Sequence, residues 1–487
     1  MKCIIPLFAF ILLFQNIKAQ NKTAASAKPA TVVGKQISIT MSPLKNCWIY
    51  LGSYYGKGRA LVDSAYLNEK SMGVFKGNKL VGGVYFIVSP KMTILFELLM
   101  DSKQQFGIVG DTLQKDKVVI TGSQDNDLFK EYLKFSNEKG KNMQELETAF
   151  HQSKTNADST KYRNLILQGD KDLQSYRDNL IKKYPNSLLA MLFNTMKRPT
   201  VPAMPIVKGK ADSLYPYRFV KDHFWDDVVF SDDRLLRTPF FEAKLDDYYK
   251  YYVSPEPDSL IEEVKFMLLS ARPGKEMFPY MLTKFTNKYI SPEFMGQDKV
   301  FLYLFENFYA KGDTVLLNAA SKKTITERAY SLMANQLGLA AAPLDLTDTT
   351  GKNSSLYGIK APFTVVAFWD PNCGHCKEEI PRLDSMYRAK WKALGVAIYA
   401  VNIYENENPA WKKFIAEKSL QNWYHVYQTK AARIAEEKAG QPSYKQLYDV
   451  FKTPTLYLLD KDKRIIAKQL SIQQFDDLIV TKMKPKS

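Results

Sequence analysis

Cysteine and histidine are scarce, with four of each in 487 residues. A secreted scaffold stapled by disulfides would carry a denser cysteine framework, so these residues do not form one. Structural zinc needs about four ligands. One C-x-x-C with His375 between its thiols supplies two good ones, and no second C-x-x-C or H-x-x-x-H exists, which weighs against any metal. Beyond the N-terminal residues no run approaches about 20 apolar residues, so the rest of the chain offers no membrane-spanning helix. Basic tracts are missing too. Lys+Arg number 68 against 51 Asp+Glu, a formal net charge of +17, but the lysines are dispersed and no nucleic-acid motif accompanies them. The charge is read as solubility and weak attraction to anionic surfaces. No P-x-x-x-T-x-x-C surrounds a cysteine, as a thiol peroxidase would want, and no coherent Ser/His/Asp set suggests nucleophilic hydrolysis.

The N-terminus sets the compartment in which the cysteines are read. Met1-Lys2 is a short basic start, Ile4 to Phe14 is apolar, and Ala19-Gln20 offers a cleavage point. This is the pattern of a secretory signal peptide, with an uncleaved anchor as the alternative. Cys3 precedes the apolar stretch and is not placed as a lipoprotein cysteine. The mature chain is expected to be soluble and exported, with Cys47, Cys373 and Cys376 as its thiols. Cys47, in the strand-like Cys47-Trp-Ile-Tyr-Leu51, reads as a small buried hydrophobe.

The hydrophobic fraction is 45% and the charged fraction 24%, a globular composition long enough for two or three domains. Residues 20–36 are small and polar and read as a flexible leader. From 37 to 122, short strand-like runs (Ile37–Thr40, Trp48–Leu51, Gly83–Val88, Thr93–Phe96, Val118–Ile120) predict an antiparallel β domain, read as a sandwich. Past Gly122-Ser-Gln-Asp-Asn126 the period becomes helical, with Asp or Asn available as a cap, and residues 123–334 are expected to be mostly α. Leu173, Tyr176, Leu180 and Tyr184 form one apolar stripe there. Val300, Phe301, Leu304, Phe305 and Phe308 form another, and such stripes are core more often than cofactor sites. A linker is placed at Leu337–Pro343. Strands and helices then alternate: strand Phe363–Trp369, helix Cys376–Leu394, strand Val396–Ile403, helix Pro409–Leu420 capped by Asn408, helical Lys430–Phe451 with a break admitted near Gly440, hairpin Thr455–Asp460 with Arg464–Gln469, and a last helix Phe475–Met483 capped by Ser471 or Gln473. That alternation implies an α/β sheet with helices on both faces.

Cys373-Gly374-His375-Cys376 follows the apolar strand and opens the helix. Two thiols so spaced can close into a disulfide ring and reopen. Free backbone N–H groups and the helix dipole favour a thiolate at the first position. His375, if protonated, would add to that, stabilise the reduced form and make the disulfide more oxidising. Glu379, three residues past Cys376, admits two readings: a proton relay to the second thiol, or a solvated surface charge.

Residues from about 338 onward resemble the thioredoxin superfamily, and within it the exported TlpA-type thiol–disulfide oxidoreductases. Phe368-Trp369-Asp-Pro-Asn-Cys-Gly-His-Cys-Lys-Glu-Glu-Ile-Pro381 is similar to their active-site signature, and Tyr448-Asp-Val-Phe-Lys-Thr-Pro-Thr455 to their cis-proline strand. Gly338 to Lys352 is similar to their opening hairpin. The layout ahead of this domain is similar to multidomain exported members of Bacteroidetes-type bacteria. The resemblance implies a thioredoxin-like fold over 335–487, with Cys373 as attacking thiolate and Cys376 as resolving thiol. It also implies a cis Pro454, with Thr453 presenting its backbone to an extended substrate and Trp369 packed against the site. A buried aspartate common in thioredoxin is replaced here by Ala367, which moves the proton-relay role to Glu379, Asp370 or water. No cofactor beyond a Cys373–Cys376 disulfide is expected. Partners would be disulfide-containing client proteins and a membrane electron donor, in the periplasm or cell envelope. The resemblance suggests reduction, including in cytochrome c maturation, whereas the Gly-His dipeptide is typical of more oxidising members and isomerases. A reading of another class, a client- or glycan-binding protein with a vestigial redox domain, is opposed by the intact dithiol and Pro454.

Overall fold

The computed structural model of the protein describes residues 34–207, 209–315, 317–404 and 409–483. The signal peptide expected over 1–19, the leader up to residue 33, and Asn408 as a helix cap lie outside them. Eight strands come first: β1 Lys35–Ser42, β2 Cys47–Tyr55, β3 Gly58–Leu67, β4 Met72–Gly77, β5 Gly83–Val88, β6 Ile94–Met100, β7 Gln105–Asp111 and β8 Gln114–Thr121. They form two four-stranded sheets, ordered β4-β1-β7-β8 and β3-β2-β5-β6. Inward residues from both, such as Ile37, Ile39, Leu51, Phe75, Ile87 and Leu98, make one core between them. Pairing is antiparallel except where β1 and β7 run parallel. Two residues assigned to the leader are strand instead: Lys35 opens β1 and is buried against Asp63, which neutralises its ammonium, and Gln36 follows it. Strands β3, β4 and β7 carry no strand signal in the sequence, because β3 and β4 are mostly exposed and Gly107 and Gly110 break the apolar run of β7.

All six residues of β5 are buried. Tyr85 and Ile87 face the opposite sheet, while Val84, Phe86 and Val88 face helices, so both sides of the strand are covered. Those helices are α1 Gln124–Gln152, α2 Asn156–Lys183 and α3 Leu188–Met196. Ser123 caps α1, in place of the expected Asp or Asn. Asn126 reaches back to β6 instead, accepting from Leu99 N at 2.8 Å and donating to Leu99 O at 2.7 Å. The Leu173–Tyr184 stripe packs on this cluster.

A two-residue ribbon follows, β9 Ile206–Val207 with β10 Lys210–Ala211. Six further helices then surround one large core: α4 Tyr215–His223, α5 Phe241–Tyr251, α6 Pro257–Ala271, α7 Met277–Tyr289, α8 Asp298–Asn307 and α9 Ala319–Met333. The Val300–Phe308 stripe lies inside that core.

The C-terminal part is built on β11 Asp345–Asp348, β12 Asn353–Ser355, β13 Phe363–Trp369, β14 Ala397–Asn402, β15 Tyr424–Tyr427, β16 Thr455–Asp460 and β17 Ile465–Lys468, in the order β12-β11-β15-β14-β13-β16-β17. Helices α10 Gly374–Met386, α11 Pro409–Glu417 and α14 Ile472–Met483 cover one face. The short α13 Tyr444–Leu447 and the chain entering β11 cover the other; α12 is Lys430–Lys438. The segment assigned as a linker is no free tether. Gly338 N donates to Ile465 O at 2.7 Å and Ala341 N to Lys463 O at 2.9 Å, so it pairs along β17. The helical stretch over 430–451 is parted at Gly440, whose φ is +64°, where the sequence admits a break. Ser471 caps α14, its Oγ accepting from Gln474 N at 3.3 Å.

Candidate active site at the Cys373–Cys376 pair

Strand β13 is buried along all seven residues. Each large side chain there contributes roughly 1.5–3 kcal/mol of burial, which makes the strand a rigid base. At its C-terminal end the chain turns sharply. Asp370 Oδ1 accepts from Asn372 N at 2.7 Å, and Asp370 O accepts from Cys373 N at 3.2 Å. Cys373 thereby becomes the N-cap residue of α10 and sits where that helix's first N–H groups are unpaired. Across the sheet Thr455 pairs with Phe368, so the residues before it run beside the dithiol turn. The Thr453–Pro454 peptide is cis. Cys373 Sγ lies 3.5 Å from the Thr453 carbonyl oxygen.

The two thiols have opposite environments. Cys373 is half-buried. Hydrogen bonding from the Thr453 side chain, then from the Cys376 backbone N–H, holds its thiol below the ordinary range. Cys376 is fully buried, and loss of hydration pushes its thiol up to about 12. Its Sγ accepts from Asp370 N at 3.4 Å. Of the two sulfurs the outer one is therefore the more readily ionised and the inner one the harder to deprotonate.

Trp369 is fully buried in the same cluster as Cys376, with the Phe414 ring tilted against it at 5.3 Å. Gly374 and His375 are at the start of α10, and a side chain at Gly374 would meet open space. Glu379 is turned to the outer side of α10, where its Oε1 accepts from Arg382 Nη1 at 2.7 Å. Ala367 faces the Cys376 cluster and brings no carboxylate. Asp370 Oδ2 accepts from Tyr404 O–H at 3.2 Å, a contact that sequence spacing could not disclose because the two residues meet only through the loop after β14. Cys47 lies in β2 against the sandwich core and is not brought to the pair. Among the described residues no three His, Cys, Asp or Glu side chains converge as a metal site.

Two family models match the chain. Residues 137–328 match a domain of unknown function, DUF5106, and residues 337–468 match the AhpC/TSA family. The curated relatives include the thiol-disulfide oxidoreductase ResA of a Bacillus cereus strain, 29% identical over 143 residues that span 29% of this chain and 75% of the relative. ResA of Bacillus anthracis is 28% identical over the same length and shares. Solved structures that align include a domain of a possible thiol-disulfide isomerase from Cytophaga hutchinsonii, with 38% identity, 30% of this chain, 92% of that one and a TM-score of 0.27. A thioredoxin-like protein from Bacteroides caccae aligns at 23% identity over 58% of this chain and 99% of its own, with a TM-score of 0.45.

Proposed function

We propose, from the premise that its C-terminal domain belongs to the thioredoxin-like thiol–disulfide oxidoreductases, that this protein reduces or exchanges disulfides in client proteins of the cell envelope. The observation that carries the reading is the pair of adjacent thiols whose environments drive their acidities apart. The Cys373 thiolate attacks one sulfur of a client disulfide; that S–S bond breaks and the first client sulfur leaves as thiolate. Cys376 then gives up its proton and attacks Cys373 Sγ, and the second client sulfur leaves. The client has gained two electrons and the protein holds a Cys373–Cys376 disulfide, which an upstream dithiol donor must reduce before the next cycle.

Cys376 does not ionise unaided near neutral pH, so the second step needs a proton acceptor. Glu379 is engaged by Arg382 and the Asp370 carboxylate by Asn372 N and Tyr404 O–H, which leaves water as the acceptor. Thr453 and cis Pro454 offer backbone beside Cys373 for an extended client segment. Export rests on the N-terminal signal pattern, and a role in cytochrome c maturation on family resemblance. Among the described residues no helix is long and apolar enough to cross a membrane.

The deciding experiment is the equilibrium reduction potential of the pair against a dithiothreitol or glutathione series. A value near about −270 mV or lower supports a reductase kept reduced by a donor. A value near about −180 mV or higher selects the second reading, oxidation or isomerisation, which the Gly374-His375 dipeptide favours. Cys376→Ala should accumulate mixed disulfides with clients, and Cys373→Ala should be inert. Full activity of Cys373→Ala would overturn the mechanism.

A further inference from the structure

Among the described residues, the helical region contacts the chain leading to Thr453 through Asn335, whose Nδ2 donates to Leu447 O at 3.1 Å, and through one buried charge. Arg328, on α9, forms an ion pair with Asp449, and the two side chains are only 15% and 2% exposed. The guanidinium is anchored on its own side by Nε, which donates to Ile290 O at 3.0 Å at the end of α7. It also lies over the Phe451 ring at 5.3 Å. Asp449 is held in the left-handed region at φ +52°, where a non-glycine residue needs fixed partners. Gln469 Nε2 is its other side-chain donor, at 3.4 Å. Two residues within the four that precede Thr453 thus rest on a single arginine from another part of the molecule. Thr453 in turn is the residue against Cys373.

We propose that Arg328 is a positioning residue for the dithiol: by holding Asp449 and Phe451 from the helical region, it fixes the Thr453–Pro454 loop against Cys373. The inference rests on the proposed redox role of Cys373 only for its biological meaning, since the geometry and its readout stand without turnover. The relevant charged groups are Asp449 on the loop, Arg328 on α9, and Asp298 with Lys468, which pair with each other at 2.6 Å in the same seam. A planar, bidentate-capable guanidinium suits this task and lysine does not, because lysine cannot bond Ile290 O and Asp449 while lying flat on Phe451. With the arginine gone, Asp449 keeps a buried charge with one weak partner, and the loop relaxes away from the sulfur.

The test is the pH profile of Cys373 alkylation by iodoacetamide in the full chain, followed by mass spectrometry of the Cys373 peptide. Arg328→Gln should move the midpoint up by about one pH unit, as expected when the Thr453 side chain, whose hydrogen bond holds the Cys373 thiol low, is let away from the sulfur. Arg328→Lys, which keeps the charge and so guards against a failure to fold, should move it in the same direction by less. Arg237→Gln breaks the 2.8 Å ion pair with Glu276 at the sandwich side of the helical region, and should leave the midpoint in place. A wild-type midpoint in folded Arg328→Gln, or in Arg328→Lys when the former does not fold, overturns the proposal. An equal shift in Arg237→Gln also overturns it, since that would signal general loosening. A shift specific to Arg328 in a chain that turns over no disulfide substrate would sustain the positioning role and retire the proposed function.

Discussion

At Cys373 and Cys376 one functional group occupies two environments a single helical turn apart. The outer sulfur collects hydrogen bonds from Thr453 and the helix N-terminus, and the inner one is stripped of water. Iodoacetamide at pH 7 should therefore modify Cys373 and spare Cys376 until the chain is unfolded; equal labelling of the two in the native protein would contradict the assignment. His425 is the second residue whose surroundings set its chemistry. It lies between Trp411 and Trp423, its Nε2 is 2.8 Å from Leu420 O, and burial lowers its pKa from 6.5 to about 4. Below pH 6.5 the unfolded chain takes up a proton here that the native chain refuses. Stability is then lost as pH falls from 6.5 toward 4, by about 3 kcal/mol at the lower end. His425→Gln should flatten that slope in urea titrations at neutral and acidic pH, and an unchanged slope would place the acid sensitivity elsewhere.

Among the elements, α1 and β6 share a device that neither makes alone. Strand β6 is the edge of its sheet, so Leu99 would leave its N–H and C=O unpaired under the helices. Asn126 supplies both partners from the first turn of α1 while Ser123 Oγ accepts from Asn126 Nδ2 at 2.8 Å. Ser123→Ala should cost about 1 kcal/mol, the usual loss of an N-cap. Asn126→Ala should cost more, about 2–3 kcal/mol, because it strands two buried backbone groups. Denaturant midpoints followed by the fluorescence of Trp48 in the sandwich would rank the two. Helix α10 shows a related economy. Pro381, lacking an N–H, sits inside the helix without breaking it, and the turn widens further on over Tyr387–Trp391.

For the whole molecule, the seam between the helical region and the C-terminal sheet carries a buried polar network. Lys468 Nζ donates to Asp298 Oδ2 and Asn335 Oδ1, each at 2.6 Å, and Gln336 Nε2 donates to Asp298 at 2.6 Å. Lys468→Met should destabilise the assembled chain by about 3 kcal/mol, since it leaves a buried carboxylate without its cation. Adding Asp298→Asn should recover part of that loss; a double variant as weak as the sum of the single changes would mean the two groups are not coupled.

Local chemistry made the dithiol, β13 and the terminal hairpin legible in the sequence alone, and the family resemblance added the cis Pro454. The signal of the dithiol site lies within a few residues: an apolar run that any buried strand needs, a turn, two thiols at a helix start. The same held for the change of period near residue 122, where strand alternation gives way to helical stripes. Contacts between distant segments decided the rest. The apparent linker at 337–343 became part of a sheet because β17 offered an unpaired edge. Glu379 found Arg382 on the helix's outer side, and Asp370 was brought to the buried thiol by its own backbone. Arg328 met Asp449 across 121 positions. A hydrogen bond or ion pair between such segments leaves no periodic trace in the chain, because its energy exists only once packing has excluded water from both partners.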